Sequence, residues 1–95
     1  MTKLLGKKLI QGSCDPKGQW VKGKQLPGQS FIQHPEPGFY RVYHNLNKQF
    51  NIGLSVKEGV GKLGNITKDS FEVTVTRNNE PIDTYIYMSL SEVDG

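Results

Sequence analysis

Phe50-Asn51-Ile52-Gly53-Leu54-Ser55-Val56-Lys57 is the stretch that decides the fold class, because apolar side chains fall there at every second residue. Successive side chains of a strand point to opposite faces of its sheet, so this period of two marks a half-buried strand. The pattern returns in Phe71, Val73 and Val75, interleaved with Glu72, Thr74 and Thr76. It returns again in Ile82, Thr84, Ile86, Met88 and Leu90, interleaved with Asp83, Tyr85, Tyr87 and Ser89. No segment sustains the i, i+3, i+4, i+7 apolar spacing of a helix. The expected fold is all-β, a small antiparallel β-sandwich or compact barrel of about six to eight short strands.

Around these runs the turn signals divide the chain. Pro35, Pro37 and Gly38 make a rigid turn between a strand over Gln29 to Gln33 and another over Phe39 to Leu46. The second strand carries Phe39, Arg41 and Tyr43 on one face and Tyr40, Val42, His44 and Leu46 on the other, which predicts a central strand or one covered by a partner. Asn45-Leu46-Asn47-Lys48 reads as a hairpin into the Phe50 strand, and Glu58 to Asn65 as a glycine-rich loop. Arg77-Asn78-Asn79-Glu80-Pro81 reads as a turn joining antiparallel strands, since asparagine tolerates positive φ.

With 95 residues the chain holds one domain, small enough to gain from association. Residues 1–30 are cut every few positions by Gly6, Gly12, Gly18, Gly23 and Gly28, with Pro16 and Pro27. They are expected to form a basic, extended arm with one or two short strands, wrapping its own domain or docking on a neighbour, ahead of an antiparallel domain over 31–95. Charge is uneven: residues 1–24 set six lysines against Asp15, whereas residues 25–95 set six basic side chains against eight acidic ones. The overall +3 thus belongs to the arm. No stretch approaches the roughly 20 apolar residues that span a bilayer, so membrane insertion is not expected. The basic start, Met1 to Ile10, is ended by Gln-Gly-Ser-Cys-Asp-Pro before a signal-peptide core forms.

Chemistry-bearing residues stand apart in the sequence. Cys14 is the single cysteine, so no intrachain disulfide is possible, and neither His34 nor His44 lies in a recognisable setting for activating it. The same three residues lack the close pairing of a metal site. Gly59-Val60-Gly61-Lys62-Leu63-Gly64 has the spacing of a dinucleotide loop, but Asn65-Ile66-Thr67 leads on to a strand rather than the helix such a loop requires. Asp69, Glu72, Glu80 and Asp83 read as solvated carboxylates on turns and polar faces. No catalytic residue, cofactor or metal is assigned, and an enzyme is not expected.

Gly38-Phe39-Tyr40-Arg41-Val42-Tyr43-His44-Asn45-Leu46, then Phe50-Asn51-Ile52-Gly53-Leu54, Phe71-Glu72-Val73 and Asp83 before Tyr85-Ile86-Tyr87, together resemble a small β domain of bacteriophage virion proteins, especially tail-fibre tips. The resemblance covers residues 38–90. It implies a homotrimer or other oligomer on the outside of a particle, without catalysis. The start at Met1 favours a short, separately encoded component: a fibre head, an adaptor or a capsid decoration. On this reading Tyr40, Tyr43, Tyr85 and Tyr87 form the oligomer interface, and Lys7, Lys8, Leu9, Ile10 and Trp20 anchor the arm to other virion proteins. Exposed loops bearing Lys62, Asn65, Asn78 and Asn79 contact a host cell-surface molecule. Two other readings stand beside it: a small barrel binding single-stranded nucleic acid through its aromatics, against which the acidic balance of 25–95 counts, and an intracellular inhibitor of a host enzyme.

Overall fold

The computed structural model describes residues 9–92. Eight strands build it: β1 (Leu9–Cys14), β2 (Phe31–Glu36), β3 (Phe39–Tyr43), β4 (Phe50–Val56), β5 (Val60–Gly64), β6 (Ser70–Arg77), β7 (Glu80–Pro81) and β8 (Ile86–Glu92). All pairings are antiparallel. Sheet one has the order β1-β8-β4, and sheet two the order β2-β3-β6-β5, with β7 continuing alongside β6. The fold is all-β and consistent with a small β-sandwich.

The period-two runs form its core. Ile86, Met88 and Leu90 of β8 are buried, flanked in register by Cys14, Gly12 and Ile10 of β1 and by Val56, Leu54 and Ile52 of β4. From sheet two, Phe71, Val73 and Val75 of β6 and Tyr40 and Val42 of β3 are completely enclosed. Removing apolar surface of this kind from water contributes about 1.5–3 kcal/mol per large side chain. As expected, β3 is a central strand, paired with β2 on one side and β6 on the other.

Turn chemistry sets the corners. Asn78 and Asn79, at φ 54° and 65°, make the two-residue turn between β6 and β7. Pro37 and Gly38 close the β2–β3 hairpin, where Gly38 at φ 72° has the positive φ of a type II turn. Pro35 lies within β2 rather than beyond it, at a register shift between Gln33 and Glu36 on an edge strand, where proline is tolerated.

Two expectations are corrected. Asn45 to Lys48 is not a hairpin, because β3 and β4 belong to different sheets; the segment crosses between them and is held by Asp69, whose carbonyl accepts from the His44 and Asn45 N–H groups and whose carboxylate accepts from Asn47 N. The glycine-rich loop is largely strand β5. Gly59 turns the chain at φ 80°, and Gly61 faces Leu54 and Val56 so closely that a Cβ there would sit 2.9 Å from Val56 Cγ1. The glycine spacing that resembles a nucleotide loop therefore lets the chain pass from sheet one to sheet two.

For the arm, the first of the two expected arrangements is seen. Cys14 and Leu26 are buried, and Ser13 exchanges backbone hydrogen bonds with Val21 and Lys24, so residues 9–30 wrap their own domain. Asp15 explains the local turn: its carboxylate accepts from the N–H groups of Lys17 and Gln19, and its carbonyl from Gly18.

Candidate functional site

Strand parity separates the four tyrosines expected at one interface. Tyr40 faces the core, fully enclosed, with its hydroxyl donating to the Pro16 carbonyl at 2.7 Å. It is thus not an interface residue: its parity matches Val42, which is equally buried. Burial, reinforced by the charge of Asp83, pushes its hydroxyl pKa up. Tyr43 lies on the outer face of sheet two, whereas Tyr85 and Tyr87, 38% and 42% exposed, lie outside sheet one. The proposed interface therefore divides between opposite sides of the sandwich.

On the outer face of sheet two, cross-strand register sets Phe31 against Tyr43, Gln33 against Arg41 and Glu72, and Phe39 against Thr74 and Lys62. Phe31 and Tyr43 stack with ring centroids 4.6 Å apart and planes 11° from parallel, and Phe31 remains 45% exposed. Arg41 bonds Glu72 Oε2 through Nε at 3.1 Å and Nη2 at 3.0 Å, reaches Gln33 through Nη1 at 3.4 Å and lies over the Phe39 ring at 5.4 Å. Asn65 donates to the other Glu72 oxygen at 2.8 Å. The result is an aromatic surface centred on an arginine whose charge already has a partner, a composition favoured in protein interfaces.

The outer face of sheet one differs. Register places Leu9, Ser91 and Asn51 in one row, Gln11, Ser89 and Gly53 in the next, and Ser13, Tyr87 and Ser55 in the third. None of these side chains is charged. Lys57 lies beyond them, over the Tyr85 ring at 5.5 Å, and Lys48 pairs with Glu92 at 2.7 Å.

The loop residues do not gather either. Lys62 belongs to strand β5 and the outer face of sheet two, correcting its assignment to a loop. Asn65 follows β5 near Glu72, while Asn78 and Asn79 lie beyond Arg77 at the other end of β6. About 3.3 Å of rise per strand residue separates these ends by roughly 20 Å. Among the arm residues, Ile10 and Trp20 pack against the core, whereas Leu9 is 62% exposed. Ile10 and Trp20 are thus only partly accessible, and Lys7 and Lys8 lie outside the described residues.

A polar cluster absent from the sequence reading occupies one end of the sandwich. His34 stacks on Tyr40 at 4.2 Å, its Nδ1 lies 2.9 Å from the Phe39 carbonyl oxygen, and its Nε2 lies 3.1 Å from Asp83 Oδ1. Both nitrogens thus lie within hydrogen-bond distance of an oxygen. Asp83 also accepts from Gly38 N at 2.9 Å. Burial acts to raise its carboxyl pKa, but the Gly38 N–H and His34 outweigh it and the net shift is downward. The cluster ties β2, the Pro37-Gly38 turn and the segment before β8 together. Sequence spacing offered no signal for it, since His34 and Asp83 are distant in the chain.

Cys14 and His44 are enclosed. Burial, then the neighbouring Asp15 charge, pushes the Cys14 thiol up to about 12, far from the thiolate form a nucleophile needs. His44 Nδ1 accepts from Leu46 N at 3.2 Å, and its ring meets Phe50 edge-on at 5.3 Å inside the core. Among the described residues, no three His, Cys, Asp or Glu side chains come together to hold a metal ion. Comparison with protein families, curated proteins and solved structures finds no match to this chain.

Proposed function

We propose that this chain is a non-enzymatic structural component of a phage particle, a small β-sandwich that self-associates through the outer face of sheet two. The observation that carries this reading is the exposed Phe31–Tyr43 stack beside Arg41 and Phe39. Stacked aromatics left half open to water on a rigid sheet present a large apolar area at small entropic cost, and the Glu72 partner lets Arg41 enter an interface without an unpaired charge. The occupant is a second copy, because a domain this small gains from its own copies the buried area it lacks alone. A trimer is the favoured assembly, following the resemblance to fibre tips. Attachment to other virion proteins falls to the segment ahead of β1.

Sedimentation velocity of the full chain over a wide concentration range tests this. A discrete assembled species that persists on dilution supports the proposal. A monomer at every concentration overturns it and turns attention to the nucleic-acid and inhibitor readings.

A further inference from the structure

The outer face of sheet one carries a depression of about 280 Å³, lined by Gln11, Gly53, Ser55, Tyr87 and Ser89, with Leu54 and Met88 at its base. It exists because Gly53 has no side chain: a Cβ there would lie 2.6 Å from Ser89 Oγ. One wall is the half-exposed ring of Tyr87, and the polar lining groups are hydroxyls and an amide. We propose that this depression binds a single neutral saccharide ring.

The chemistry selects that class. An anionic ligand needs fixed positive charge, and the lining has none. A large apolar ligand needs a predominantly hydrophobic lining, and here hydroxyls, an amide and a glycine share it. A pyranose offers an apolar C–H face to stack on Tyr87 and equatorial hydroxyls that pair with Gln11, Ser55 and Ser89, each able to donate and accept. The three strands hold these groups in register, so little ordering is required on binding. This inference concerns the face opposite the proposed self-association surface and stands or falls separately from it.

The test is two-dimensional NMR of the full chain titrated with the methyl glycosides of glucose, galactose and N-acetylglucosamine, with a sialic acid glycoside as the charged comparison. Saturable shifts are expected with at least one neutral glycoside, centred on the Gln11, Gly53, Ser55, Tyr87 and Ser89 amides, with a Kd in the millimolar range. Tyr87→Ala should weaken binding at least tenfold, whereas Tyr87→Phe, which keeps the ring, should stay within threefold of the parent. Both substitutions are at an exposed position, and an unchanged amide spectrum away from the depression shows that the fold is kept. No saturable shift with any neutral glycoside, shifts centred elsewhere, stronger binding of the sialic acid glycoside, or equal losses in the two variants would overturn the proposal.

Discussion

The two outer faces of the sandwich share one core and one strand geometry yet differ in chemistry. Sheet two shows paired aromatics and an arginine held by Glu72, while sheet one shows serine, glycine, glutamine and asparagine with a tyrosine at one side. Neither is the lysine- and glutamate-rich surface that merely keeps a sheet in solution. The difference teaches that solvent-side positions, which contribute little to folding, are where an all-β scaffold records what it touches.

The largest effect should come from a change that removes both faces at once. Gly38 has φ 72°, and an added Cβ would lie 2.6 Å from the Val75 carbonyl oxygen and 2.8 Å from Pro81 Cβ. Gly38→Ala should therefore cost about 3 kcal/mol or more in urea denaturation, combining backbone strain with a clash. Gly23→Ala is the control, with φ 77° and nothing within 4 Å, and should cost only about 1–2 kcal/mol. Equal losses would show that crowding at Gly38 matters little.

Acid should weaken the core beneath both faces. Burial lowers the pKa of His44, with Asp69 opposing in part. The unfolded chain then takes up a proton at higher pH than the folded one, so stability is fully present above the ordinary histidine range and falls as pH drops through it. Thermal midpoints measured from neutral to mildly acidic pH should decline, and His44→Leu should flatten that decline while starting lower, because Leu46 N loses its acceptor. An equally steep decline in the variant would place the acid sensitivity elsewhere.

A smaller change should separate the faces. Arg41→Lys removes the two-nitrogen contact with Glu72 and the planar group over Phe39. For so exposed a pair, solvent screening should leave the thermal midpoint close to that of the parent. Self-association should weaken measurably in sedimentation, while the sheet-one face should keep its amide spectrum.

The core was legible where one strand face alone is apolar. Phe71, Val73 and Val75, and Ile86, Met88 and Leu90, declare their inward side by contrast with polar neighbours, and the same parity sends Tyr87 outward. In Phe39 to Leu46 both faces carry aromatics, so residue type could not show that Tyr40 is enclosed and Tyr43 is not. Strand β5 was hidden by its glycines, which serve the close approach of Leu54 and Val56 rather than a loop. A short strand was expected in residues 1–30, but its place at β1 could not be read, because Gly12 leaves room for Leu26, a partner fourteen residues away that no local pattern reveals. The depression at Gly53 depends on three strands coming into register, and the His34–Asp83 tie on two distant segments meeting; both are properties of the assembled sheets.

The most direct test of the account is the light-scattering mass of three proteins side by side: the parent chain, Phe31→Ser/Tyr43→Ser, and Tyr85→Ser/Tyr87→Ser. The account predicts an assembled parent, an assembled Tyr85/Tyr87 variant, and a folded Phe31/Tyr43 variant at the 10.7 kDa of a single chain. A monomeric parent, or a Phe31/Tyr43 variant that stays assembled while the Tyr85/Tyr87 variant dissociates, would contradict it.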